Sequence, residues 1–178
     1  MKDNVIYTIG HSNRSLETFL ALLQSQAIAL LVDVRTIPRS RHNPQFAADT
    51  LAPALAAADI AYQHLATLGG LRRGLGQASP NTGWRNASFR SYADYMQTEA
   101  FQAGLGTLID LARARPVAIM CAEALYWRCH RSLIADALLV RGWTVWHIMD
   151  EHHVRPHALT PFARVHGLQI IYPAADIS

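Results

Sequence analysis

The sequence is short of charge and of cysteine. Only 16% of its residues are charged and two are cysteine, against 51% hydrophobic. That balance excludes a disordered or fibrous chain. Two cysteines are too few for a disulfide framework and read as thiols. No uninterrupted apolar run approaches the ~18–20 residues that span a bilayer, so no membrane partner is expected. The start, Met1-Lys2-Asp3-Asn4, runs into a strand-like segment without the pattern of a signal or transit peptide. The expectation is a soluble, cytoplasmic, globular protein. Its 178 residues suit a single domain with a core of its own.

Lysine is nearly absent: all but one of the sixteen basic residues are arginine. The chain is also rich in alanine, and both follow from genomic base composition, so only the positions of the arginines inform. Seven arginines between Arg35 and Arg90 face only Asp49 and Asp59, which places the basic excess in one segment. Such a patch favours anionic ligands, and a small anion is the expected partner.

Apolar periodicity alternates between strand and helix. Val5 to Ile9 reads as a first strand, and Leu16, Phe19, Leu20 and Leu23 as a helix capped by Ser15 or Asn13. Ala29 to Val34 is a continuous apolar run of the kind covered on both faces of a parallel sheet. Leu51, Leu55 and Ala58 mark a helix, and Ile60 to Leu65 a third strand. Residues 66–88 lose periodicity and hold half of the glycines, a Gly/Arg-rich insertion long enough to be functional or mobile. Two helices follow, carrying Phe89, Tyr92 and Met96, then Phe101, Leu105, Leu108 and Ala112, with a break near Thr98. Pro116 to Met120 is a fourth strand. Leu133, Ile134, Ala137 and Leu138 lie on a helix ended by Gly142, and Trp143 to Ile148 is a fifth strand. Residues 150–178 read as an irregular His- and Pro-containing tail, with one further strand at Leu168 to Tyr172. The fold class is α/β: one domain with a mainly parallel sheet and helices on both faces.

Every predicted strand ends in chemistry. The first ends at His11 and Ser12, the second at Asp33 and Arg35, and the third leads to His64 and the Gly69-Gly70-Leu71-Arg72 turn. The fourth ends at Cys121 and Glu123, and the fifth at His147 and Asp150. Ligands of open parallel sheets bind outside the carboxyl ends of the strands. Cys129, His130 and Arg131 fall at a helix start, where unpaired N–H groups favour negative charge and lower a thiol pKa. Glu123, directly after a buried strand, calls for a partner such as Arg128 or Arg131.

The motifs Tyr7-Thr-Ile-Gly-His-Ser12, Val32-Asp-Val-Arg35 with Pro38-Arg39-Ser40 and Phe46, Leu68-Gly-Gly-Leu-Arg72, and Cys121-x-Glu123 with Cys129-His-Arg131 closely resemble the bacterial and archaeal "domain of unknown function 488" family. The resemblance runs over about residues 5–150 and implies a single α/β domain. It implies no settled reaction, substrate or cofactor. Family members often carry charged residues and a proline between the glutamate and the second cysteine. Ala124, Leu125, Tyr126 and Trp127 stand there instead, and offer an aromatic contact to a flat ligand.

Four chemistries compete for these residues. In the first, Arg35, Arg72 and Arg131 clamp a phosphorylated or nucleotide-type anion, and Asp33 orients Arg35 or a ligand hydroxyl. Ser12, Arg39, Gly69, Gly70 and Cys129 line the site, and Glu123, His130, Cys121 and His11 are the catalytic candidates. In the second, Cys121 heads an anion cradle of the rhodanese or cysteine-phosphatase type. The Cys121-to-Arg128 loop is one residue too long for that pattern, and Glu123 would oppose the anion. In the third, the basic segment with Trp84, Phe89 and Tyr92 binds nucleic acid. The weakest is a metal site among His147, His152, His153, His157 and His166, because Pro156 interrupts the i, i+4 pair of His153 and His157; no metal ligand is assigned.

Overall fold

A computed structural model describes residues 4–175. Met1 to Asp3 and residues 176–178 of the tail lie outside that range. The chain builds a six-stranded sheet in the order β3-β2-β4-β1-β5-β6. Its parallel members are β1 (Val5–Gly10), β2 (Leu30–Asp33), β3 (Ala61–His64), β4 (Val117–Cys121) and β5 (Thr144–Ile148). Between them run α1 (Leu16–Ser25), α2 (Ala48–Ala57), α3 (Ala87–Tyr95), α4 (Glu99–Ala114) and α5 (Arg131–Val140). Local sequence starts these helices as read: Ser15 caps α1 by accepting from the Thr18 N–H, and Thr98 divides α3 from α4 by accepting from the Phe101 N–H. Gly142 takes the left-handed conformation, with φ 84°, just past α5.

Two apolar clusters cover the two faces. Phe19, Leu22 and Leu23 of α1 pack with Leu51 and Leu55 of α2 against Ile9, Leu31 and Met120. On the other face Tyr92, Phe101, Leu105, Leu108, Leu133 and Ile134 of α3 to α5 pack against Ile6, Val32 and Ile119. The chain leaves β1 for α1 on the first face, but leaves the neighbouring β4 for α5 on the second. β2, on the other side of β4, also sends its chain to the first face, towards α2, and strand ends where the chain departs to opposite faces are where ligands of such sheets bind. Backbone bonds tie the loops after β1 and β4 together at their base: the His11 N–H donates to the Cys121 carbonyl and the Ser12 N–H to that of Ala122. Gly10 is required there, since a Cβ would sit 1.8 Å from the Glu123 carbonyl oxygen.

The tail is more ordered than its composition suggests. It supplies β6 (Val154–Pro156), antiparallel to β5, and a separate hairpin of β7 (Arg164–His166) and β8 (Gln169–Ile171). The strand expected near residue 170 thus belongs to this hairpin and does not join the main sheet. The buried carboxylate of Asp136 in α5 fastens the tail, accepting from His157 Nε2 at 2.8 Å, the Thr160 N–H and hydroxyl at 3.1 and 2.7 Å, and the Tyr172 hydroxyl at 2.8 Å. The insertion at 66–88 is likewise tied down. Asp94 of α3 receives Leu75 N–H, the Ser79 hydroxyl and Asn81 Nδ2, while Asn81 Oδ1 receives the Tyr172 N–H.

Removing the Asp136 carboxylate strands these buried donors at once. Asp136→Ala is expected to cost about 3 kcal/mol of unfolding free energy in urea, with faster amide exchange across residues 154–172. A change under about 0.5 kcal/mol would mean that the tail is held by its apolar contacts alone.

Candidate functional site

The centre of the rim is a cation. Arg131, at the start of α5, is 1% exposed and has no carboxylate partner among the described residues. Its Nε donates to Cys121 Sγ at 3.0 Å, Nη1 to the Thr8 hydroxyl at 2.9 Å, and Nη2 to the Glu123 and Ala124 carbonyls at 2.7 and 3.3 Å. The expectation that Arg131 pairs with the Glu123 carboxylate is therefore corrected. The Glu123 side chain is exposed and accepts from the Leu125 N–H, while its carbonyl takes the guanidinium. With every nitrogen turned into the protein, Arg131 is a support for the rim and not an arm reaching into solvent.

Both cysteines are free thiols, and their sulfurs lie 2.6 Å apart beneath this guanidinium. Cys121 closes β4, and burial pushes its pKa well up, reinforced by its contact with Cys129. Cys129 behaves oppositely. Burial pushes its thiol up too, but the Cys121 hydrogen bond, the Arg131 charge and the Arg131 N–H at 3.4 Å outweigh that and hold it at about 7. Below the rim, the Thr8 hydroxyl sits 2.5 Å from His147 Nδ1 and His147 Nε2 sits 2.8 Å from His157 Nδ1, which continues the chain to Asp136. Burial, with the neighbouring His157 and Arg131, pushes the His147 pKa down to about 2.

His130 stands beside Cys129. Its Nε2 lies 2.8 Å from the Val34 carbonyl, which can only accept, so the ring proton sits there and Nδ1 is left as a base 3.5 Å from Cys129 Sγ. Burial lowers its pKa and favours the neutral ring. Gly70 makes room for it: a Cβ would come within 2.7 Å of Nδ1. Thiol, imidazole base and an orienting carbonyl form the arrangement that activates a nucleophile.

Next to this pair lies a buried ion pair. Asp33 Oδ1 and Oδ2 receive Arg35 Nε and Nη2 at 2.9 and 2.7 Å, and the Tyr62 hydroxyl adds a bond at 2.6 Å. Arg35 Nη1 lies 3.4 Å from His11 Nε2, and His11 Nδ1 lies 2.8 Å from the Ser12 carbonyl. His11 also stacks on Phe46 at 4.5 Å; burial lowers its pKa, against the Ser12 bond that would raise it. It braces Arg35.

A cleft of about 350 Å³ opens over these groups, lined by Arg35, Gly70, Cys121, Glu123, Cys129 and His130. Ser12, Asp33, Arg39, Gly69, Arg72 and Arg131 are not among its lining residues. Arg72 folds back on the Gly69 and Ala66 carbonyls and lies over the Tyr95 ring at 3.9 Å, and Arg39 is exposed. Sequence reasoning missed Thr36 and Ser88 on the walls, named Phe89 only as a helix-face and nucleic-acid stacking residue, and weighed Arg128 as a partner for Glu123 or as the arginine closing a Cys121 loop. Arg128 is exposed and makes no side-chain hydrogen bond or ion pair with the described residues, and its spacing from Cys121 was the available signal. Tyr126, offered above to a flat ligand, instead stacks on His147 at 3.7 Å. Trp84 packs against Phe89, Phe162 and Tyr172, and Tyr92 is fully buried, so both are committed to packing. No group of three or more His, Cys, Asp or Glu among the described residues could hold a metal ion. No described helix is long and apolar enough to cross a membrane.

The model of the family described as "Domain of unknown function DUF488" matches residues 15–138. The match takes in the Asp33–Arg35 pair, the glycine turn and the whole Cys121-to-Arg131 segment. No curated protein and no solved structure matches the chain.

The two sulfurs should separate chemically despite their contact. Iodoacetamide is expected to label Cys129 in the folded protein and leave Cys121 unlabelled, as read by peptide mass spectrometry. Because the thiolate reacts, labelling should accelerate as pH rises through about 7 and level off above it. Equal labelling of both sulfurs, or a midpoint at 9.0, would contradict the assignment.

Proposed function

Since the chain belongs to the DUF488 family, whose description assigns no reaction, its chemistry has to come from its own residues, and we propose that it is an enzyme that binds a small phosphorylated or nucleotide-type anion in the cleft above β2 and β4 and uses Cys129 as nucleophile. The observation that carries this reading is the position of Cys129 Sγ. It lines the cleft, rests between the Arg131 N–H and the Cys121 sulfur, and has the unprotonated Nδ1 of His130 at 3.5 Å.

Each neighbour has a separate task. His130 takes the Cys129 proton and, with Nε2 anchored on Val34, can return it to a leaving group without turning. Arg131 balances the sulfur charge from below. The exposed Arg128 brings a positive charge to the cleft, the buried Arg35, paired with Asp33 and next to His11, lines its wall, and the hydroxyls of Thr36 and Ser88 add polar contacts there. Glu123 lines the cleft with an exposed side chain that accepts from the Leu125 N–H, and no acid role is assigned to it. The thiol reading formed around Cys121 thus passes to Cys129, because Cys121 is the sulfur that burial keeps protonated.

Ligand protection tests this. Pyrophosphate and adenosine monophosphate should slow alkylation of Cys129, whereas adenosine should not. Arg128→Ala should weaken that protection roughly tenfold while leaving the fold intact. Protection by adenosine equal to that by its monophosphate, or none by either anion, would contradict an anion site.

A further inference from the structure

A second thiol touching an activated one needs a role, and the nucleophile reading leaves Cys121 without one. We propose that Cys121 and Cys129 are a dithiol–disulfide couple that reduces small, negatively charged disulfides, with Cys129 as the attacking thiol and Cys121 as the resolving one. The inference rests on the reading of Cys129 as nucleophile and adds the substrate class.

The geometry carries it. The sulfurs are 2.6 Å apart, so an S–S bond of ~2.05 Å needs only a small side-chain adjustment. Cys121 is fixed at the end of β4, whereas Cys129 follows a loop whose residues Ala122, Glu123, Trp127 and Arg128 are exposed, so the loop can take up that adjustment without repacking the core. Both sulfurs line the cleft, and Cys129, 7% exposed against 3% for Cys121, is the one a substrate meets first. Arg131 Nε donates to Cys121 Sγ at 3.0 Å, so as Cys121 loses its proton the developing thiolate already faces a guanidinium. The exposed Arg128 on the cleft lining selects for a disulfide carrying carboxylates.

The electrons balance without a further reagent. His130 Nδ1 takes the Cys129 proton, the Cys129 thiolate attacks one sulfur of the substrate disulfide, the substrate S–S bond breaks, and the first thiolate leaves with the proton that His130 returns. Cys121 then loses its proton beside Arg131 Nε and attacks Cys129 Sγ, forming the Cys121–Cys129 bond. The second substrate thiolate leaves and takes up the proton that Cys121 released. Two electrons pass from the protein pair to the disulfide, and a thiol reductant reverses the steps.

The test uses the full reduced chain and glutathione disulfide as probe, followed by acid quenching, alkylation with N-ethylmaleimide and mass analysis. The wild-type protein should lose both alkylation sites and retain no glutathione. Cys121→Ser should stop at a stable glutathione adduct on Cys129, and Cys129→Ser should leave Cys121 alkylatable over the same time. A wild-type protein that stops at the Cys129 adduct overturns the couple but keeps the nucleophile. So does one that ignores glutathione disulfide while Cys129 still reacts with iodoacetamide. A Cys129 inert to both reagents overturns the two readings together.

Discussion

A guanidinium enclosed by protein without a carboxylate is the constraint on which this architecture turns. Burying a cation is costly unless opposite charge or a full set of acceptors accompanies it. Arg131 finds its acceptors in two carbonyls, a hydroxyl and a sulfur, all from β1, the end of β4 or the loop beyond, and the negative charge that favours its proton is that of the two cysteines beside it. The same contact raises the affinity of Arg131 for its proton, with the sulfurs outweighing burial, and lowers that of Cys129. Stability and reactivity are therefore two aspects of one interaction.

The sheet order explains why it arises here. β1 and β4 send their chains to opposite faces, and the loops that leave them are joined by backbone bonds from His11 and Ser12 to Cys121 and Ala122. Arg131 fills the space beneath that junction. Its support extends away from solvent through Thr8, His147 and His157 to Asp136, so the tail is attached to the underside of the site. Since His147 stays neutral through the physiological range, that chain of hydrogen bonds keeps one arrangement there.

The strands, their parallel order of march and the polar groups at their ends were legible because apolar period and strand-end chemistry are local signals. Arg35, Cys121, Cys129 and His130 line one cleft, with Asp33 and His11 behind Arg35. What failed to show was direction. An arginine reads the same whether it reaches outward, as Arg128 does, or is folded under the rim, as Arg131 is. Glu123 misled because a carbonyl substituted for the carboxylate, and backbone acceptors leave no trace in residue type. The tail and the 66–88 segment looked irregular because Asp136 and Asp94, each distant in sequence from most of its donors, hold them through single buried carboxylates in place of periodic apolar contacts.

The chemistry of this site depends on whether Arg131 keeps a cysteine ionised. Thiolate absorbance followed against pH, in the reduced wild-type protein and in Arg131→Gln with its fold checked by circular dichroism, measures this directly. The expected wild-type midpoint is about 7, moving to 9.0 or above once the guanidinium is gone. A wild-type midpoint already at 9.0, or one that stays near 7 in the folded variant, would show that the buried cation and the reactive sulfur are unrelated.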